Sequence, residues 1–165
     1  MARPALSEDE VLLAVKEWLL GGQWSILAYR SPGGHGGMSV EVPRETGQPP
    51  GRVVLDLVCV KHSVALCVEA KGRASRADEQ KLRRLFASPA ARTAVAEWVC
   101  HRPDASTRRR RKALVLLPTL AYSQGALIPD DFVVLVAGPR SQITCHVGAR
   151  VLSHRRVVAA LGLTG

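Results

Sequence analysis

The first strong period along the chain is helical. Val11, Leu12, Val15, Trp18 and Leu19 recur at three- and four-residue steps and form one apolar stripe. Ser7 stands where an N-cap belongs, with Glu10 placed to complete a capping box, and Gly21-Gly22 ends the helix after about Leu20. At roughly 100° per residue, Glu8 projects onto the apolar stripe one turn earlier, while Asp9, Glu10 and Glu17 fall away from it. The pattern then changes to short apolar runs. Gln23 to Arg30 predicts a strand, "SPGGHGG" a glycine loop, and Met38 to Val42 a short strand followed by a polar, Pro- and Gly-rich connection to Gly51. "RVVLDLVCV", Arg52 to Val60, is strongly β-branched, and Lys61-His62-Ser63 turns it back into "VALCVEAKG" from Val64, which predicts a hairpin.

Ser75 with Asp78 opens a second capped helix from Arg76 to about Ala87, and Ser88-Pro89 starts a further helical segment that stops before Pro103. Strands are predicted at Ala113 to Leu117, Phe132 to Ala137 and Gln142 to Val147, and a closing helix at Val151 to Leu161. These helices bracketing runs of strands predict an α/β fold, a mixed central β-sheet flanked by helices. With 165 residues, no internal repeat and no linker, the chain is expected to form a single domain over residues 1–165.

Three residues break the apolar pattern where a core should be purest. Asp56 sits in the middle of the Arg52–Val60 strand, and Glu69 and Lys71 end the next one, giving D-x12-E-x-K. A carboxylate among leucines and valines is costly unless it is paired or holds a cation. If the hairpin pairs these strands, all three side chains converge at one edge of the sheet. Two close acids suit Mg²⁺, which takes hard oxygen ligands and keeps waters for a substrate phosphate. A lysine beside them orients water or stabilises developing charge. The plain alternative is an ion pair at a strand end, but two acids and one lysine leave a surplus negative charge that a cation answers better. For Glu8 the alternative is an acid favoured by the helix dipole.

Asp56, Glu69-Ala70-Lys71 and their setting between two helices resemble the PD-(D/E)xK nuclease superfamily over about Ser7 to Leu117. The arrangement is similar to Holliday-junction resolvases and Mrr-type restriction nucleases. The resemblance implies a restriction-endonuclease-like fold and a Mg²⁺-dependent DNA endonuclease, with Mn²⁺ as a substitute ion. It implies Asp56, Glu69, Ala70 and a helix glutamate at the metal, and Lys71 beside them; Glu8 is the choice for the helix acid, with Glu10 behind it. Gln80 resembles a glutamine near the scissile phosphate, although Arg84 stands where several branches have tyrosine. Double-stranded or branched DNA and a homodimer are the implied partners.

Charge supports a polyanionic partner. The net charge is +9, carried by 18 Arg and only 5 Lys, and arginine's planar fork suits phosphate. Candidate phosphate contacts are Arg30, His35, Arg73, Arg76, Lys81, Arg84 and the run Arg108, Arg109, Arg110, Arg111. For His35 and for that run the alternative is a solvated loop. A non-catalytic nucleic-acid-binding or assembly module, or an RNA-directed nuclease, are the competing functions. Cys59, Cys67, Cys100 and Cys145 are scattered without metal-ligand spacing and are expected to be buried thiols. No P-loop supports a nucleotide cofactor, no Ser-His-Asp or Cys-His set stands out, and no apolar run reaches the roughly 20 residues of a membrane helix. The acidic Glu8–Glu10 stretch does not read as a signal peptide, so a cytoplasmic location is expected.

Overall fold

A computed structural model describes residues 4–44, 51–102 and 114–163. Helix α1, Glu8–Gly21, starts at the expected capping box: Ser7 Oγ accepts from Glu10 N–H, and the Glu10 carboxylate accepts from Ser7 N–H at 2.7 Å. Its stripe of Val11, Leu12, Val15 and Leu19 is fully buried. Eight strands follow in two sheets: β1 Ser25–Tyr29, β2 Met38–Val42, β3 Gly51–Leu55, β4 Leu57–Lys61, β5 Val64–Ala70, β6 Val115–Tyr122, β7 Val133–Ala137 and β8 Ile143–Val147. Six form a mixed sheet in the order β1-β4-β5-β6-β7-β8, with β5, β6 and β7 parallel and the outer pairings antiparallel. β2 and β3 form a separate two-stranded ladder.

Parallel pairing of β5 with β6 requires a crossover, supplied by α2, Arg76–Ala87, and α3, Pro89–Cys100. Two short helices, α4 Ala149–Leu152 and α5 Arg155–Ala160, close the described chain. β5 is buried along its whole length, as a central strand covered on both faces must be. Val64, Leu66, Val68 and Ala70 pack in one core with the α1 stripe and Val157 of α5. On the other face Cys67 joins Leu82 and Leu85 of α2, Val95 and Val99 of α3, and Val42, Val53 and Leu55 of the β2–β3 hairpin. Among the described residues no helix is long and apolar enough to cross a membrane.

Three expectations are corrected. The run Arg52–Val60 is not one strand: it breaks at Asp56, so β3 leaves the main sheet to pair with β2 while β4 stays in it. The strand expected to end at Leu117 continues to Tyr122 through Pro118. Proline is tolerated there because β7 joins β6 only from Thr119 onward. The closing helix is two helices, divided where Ser153 Oγ bonds back to Arg150 C=O and His154 turns extended.

Candidate active site

The acid at the break in the long strand joins three segments. Asp56 N–H donates to Val68 C=O at 3.1 Å, and its own carbonyl accepts from Arg30 N–H at 2.8 Å. Its side chain accepts from Ala70 N–H through Oδ2 at 2.9 Å and from Arg30 Nε through Oδ1 at 2.8 Å. Asp56 is therefore not a mid-strand residue but the fastening between β1, the β3–β4 break and the end of β5. It is 8% exposed.

The glycine loop after β1 sets Arg30 in place. Arg30 bridges to Gly36, and Ser31 donates to His35 C=O through both its N–H and its hydroxyl. Gly36 and Gly37 lie at φ +92° and +79°, and a Cβ on either would come within 2.5 Å of Tyr29 O or 2.7 Å of Leu55 O. Only glycine permits that close return of the loop. It turns the Arg30 guanidinium inward, where Nε meets Asp56, Nη2 meets Glu8 Oε1 at 2.5 Å and Nη1 meets Asp9 Oδ1 at 3.4 Å. Arg30, expected among the phosphate contacts, instead holds three carboxylates.

Glu69 and Lys71 do not pair with each other. Glu69, 5% exposed, faces α2 and accepts from Lys81 Nζ at 2.6 Å. Lys71, just beyond the strand, reaches round to Glu8 Oε2 on α1 at 2.7 Å. The E-x-K unit thus divides its charges between the two faces of the sheet, with Asp56 between them. Burial raises the Glu69 carboxyl to about 7; Asp56 and Asp78 add to this, and the Lys81 hydrogen bond does not cancel it. The hydrogen bond to Glu8 raises Lys71 above the usual lysine range.

Glu8 and Glu10 separate as helical phase predicts, but Asp9, expected to fall away with Glu10, also reaches Arg30. Glu8 enters the cluster, and Glu10 spends its carboxylate on the cap and faces water. Under a metal-dependent nuclease reading, Glu8→Gln is expected to lower cleavage at least tenfold, whereas Glu10→Gln weakens the helix cap slightly and leaves the rate unchanged. Single-turnover cleavage and thermal melting of both variants check this. The reverse ranking would place the wrong acid in the site.

Asp78 is a participant that sequence reasoning treats only as a cap. Ser75 Oγ accepts from Asp78 N–H at 3.4 Å, but the Asp78 carboxylate does not complete the box. Among the described residues its buried Oδ2 has no hydrogen-bond partner, and its charge acts on both Glu69 and Lys71. The only sequence signal is its helical phase, one turn before Lys81 and Leu82. Gln80 lies on the exposed side of that helix, outside the cluster. Arg73, Arg76, Arg84 and His35 are exposed, with Arg76 near Glu79 at 3.5 Å and Arg84 Nε on Gln80 C=O at 3.3 Å. Arg108 to Arg111 lie outside the described residues.

Among the described residues no three His, Cys, Asp or Glu side chains form a ready-made metal cage. The chain matches no family model, no curated protein and no solved structure.

Proposed function

We propose that the protein is a Mg²⁺-dependent DNA endonuclease on a restriction-endonuclease-like fold, with its site at the end of β5. The observation that carries this reading is the unmet negative charge there. Five carboxylates (Glu8, Asp9, Asp56, Glu69 and Asp78) face three cations, Arg30, Lys71 and Lys81. Glu69 stays near 7 despite its lysine, and among the described residues Asp78 Oδ2 has no partner. With Glu69 ionised, as above pH 7, the surplus of two charges and the hard oxygen donors fit one divalent cation. Mg²⁺ is commonly held by one or two carboxylates, with waters and substrate phosphate filling its other positions, so no three-acid cage is needed.

Asp56 and Glu69 are the side chains that would hold it, with the Asp78 charge acting on Glu69. A cation bound there activates water and offsets phosphate charge. The chain's own groups supply the rest. Lys71, kept protonated by Glu8, is an electrostatic donor toward a phosphate oxygen rather than a base. Glu8 and Asp9 hold Arg30, and Arg30 holds Asp56, which fixes the first acid's orientation. The same three-carboxylate grip on Arg30 favours the second reading, a non-catalytic nucleic-acid-binding module in which the acids are satisfied internally.

Purified protein incubated with supercoiled plasmid, linear duplex, single strand and four-way junction separates the two. The nuclease reading expects cleavage of at least one substrate with Mg²⁺ or Mn²⁺, none with EDTA, and none by Asp56→Ala. Binding without cleavage under every metal condition would favour the module.

A further inference from the structure

We infer that the cleft between the β2–β3 hairpin and helices α2 and α3 grips one strand of a nucleic acid by its phosphates and leads it to Glu69. The inference rests on the nuclease reading for what happens at the strand's end, but its binding claim stands on separate residues. The cleft has a volume of about 520 Å³, and among the described residues that line it are four cations, Arg44, Arg52, Lys81 and Arg84, and no carboxylate. Among the described residues Arg44, Arg52 and Arg84 form no ion pair, so their charge is available to a ligand. Arg44 is held over the floor: a Cβ on Gly51 would meet its Nε at 2.9 Å.

Lys81 ties the cleft to the acid cluster. It lines the cleft, is 43% exposed, and its Nζ sits on Glu69 Oε1. A phosphate arriving along the cleft meets Lys81 as the last cation before Glu69. Three of the four cations are arginines, whose planar fork fits phosphate oxygens bidentately. The size suits one strand: pockets of about 300–1,000 Å³ enclose a drug-sized ligand, far less than a duplex occupies. Among the described residues the lining includes Val42, Val53 and Leu85 but no aromatic ring, so these offer bases nothing to stack on and the grip is on the backbone, without sequence preference.

The test is fluorescence-anisotropy binding of a labelled single-stranded oligonucleotide in EDTA, across a salt series, for wild type and for Arg44→Gln/Arg52→Gln/Arg84→Gln. Each lost phosphate contact removes about 0.7 from the log–log salt slope of a single strand, so the triple variant should lose about 2 and Arg84→Gln alone about 0.7. The same variants should lose far less affinity for a blunt duplex. An unchanged slope overturns the cleft; an equal loss on blunt duplex overturns the single strand; displacement of the oligonucleotide by poly-glutamate of equal charge overturns the nucleic-acid assignment. Failure of the nuclease reading looks different: wild type would not cleave with Mg²⁺, yet the slope change would persist.

Discussion

Glu69→Gln should raise the stability of the metal-free protein by about 3 kcal/mol at pH 8 and leave it unchanged at pH 4. The Glu69 carboxyl sits near 7 in the folded chain and near its ordinary value of about 4.5 when unfolded. A group whose folded pKa is raised adds stability that is fully present below the unfolded value and is lost as pH rises through the folded one. The loss therefore falls between about pH 4.5 and 7, at about 1.4 kcal/mol per unit of displacement. Glutamine keeps the shape without the charge and removes that slope. For a chain of this length the gain at pH 8 corresponds to roughly 6–12 °C in Tm. Melting both proteins across this range checks it, and parallel pH profiles would show that Glu69 is not under electrostatic stress. Mg²⁺ should stabilise the wild type at pH 8, because an ion at Glu69 relieves that stress, and should do little for the variant.

Arg30→Met should act in the opposite direction. Removing the guanidinium leaves Asp56 buried with one oxygen unpaired and frees Glu8 and Asp9 of their shared partner. Breaking a buried pair by deleting one member costs about 3–5 kcal/mol because the remaining charge stays desolvated. The expected loss is about 3 kcal/mol at pH 8. Because the freed oxygens are hard donors, Mg²⁺ should recover more of this variant's stability than it adds to the wild type. Thermal melts with and without the ion decide it. A variant as stable as wild type, or one indifferent to Mg²⁺, would mean that Asp56 does not depend on Arg30 and offers nothing to a cation.

Much of the fold is legible because local signals decide it. Ser7 with Glu10, Ser75, and Ser88 with Pro89 start α1, α2 and α3, since a cap satisfies N–H groups that nothing else nearby reaches. Glu8 separates from Glu10 by helical phase alone. The break at Asp56 is not legible: "RVVLDLVCV" reads as one strand, and its interruption depends on Ala70 N–H and Arg30 Nε, 14 and 26 residues away. For the same reason β3 cannot be seen leaving the main sheet, and the basic cleft that depends on it stays hidden at Arg44 and Arg52. Asp78 reads as a cap because a cap and a site acid present the same residue at the same spacing. Arg30 and Lys81 read as phosphate contacts until the tertiary fold brings carboxylates to them.

One experiment bears most directly on the proposed chemistry. The single-turnover cleavage rate of a labelled DNA substrate is measured at pH 8 for wild type and Glu69→Gln, with Mg²⁺ and with EDTA, beside their affinities for the same substrate. The nuclease reading predicts cleavage by wild type in Mg²⁺ only, and a loss of at least a thousandfold in the variant with affinity retained. Equal rates for the two proteins, or cleavage that survives EDTA, would contradict it.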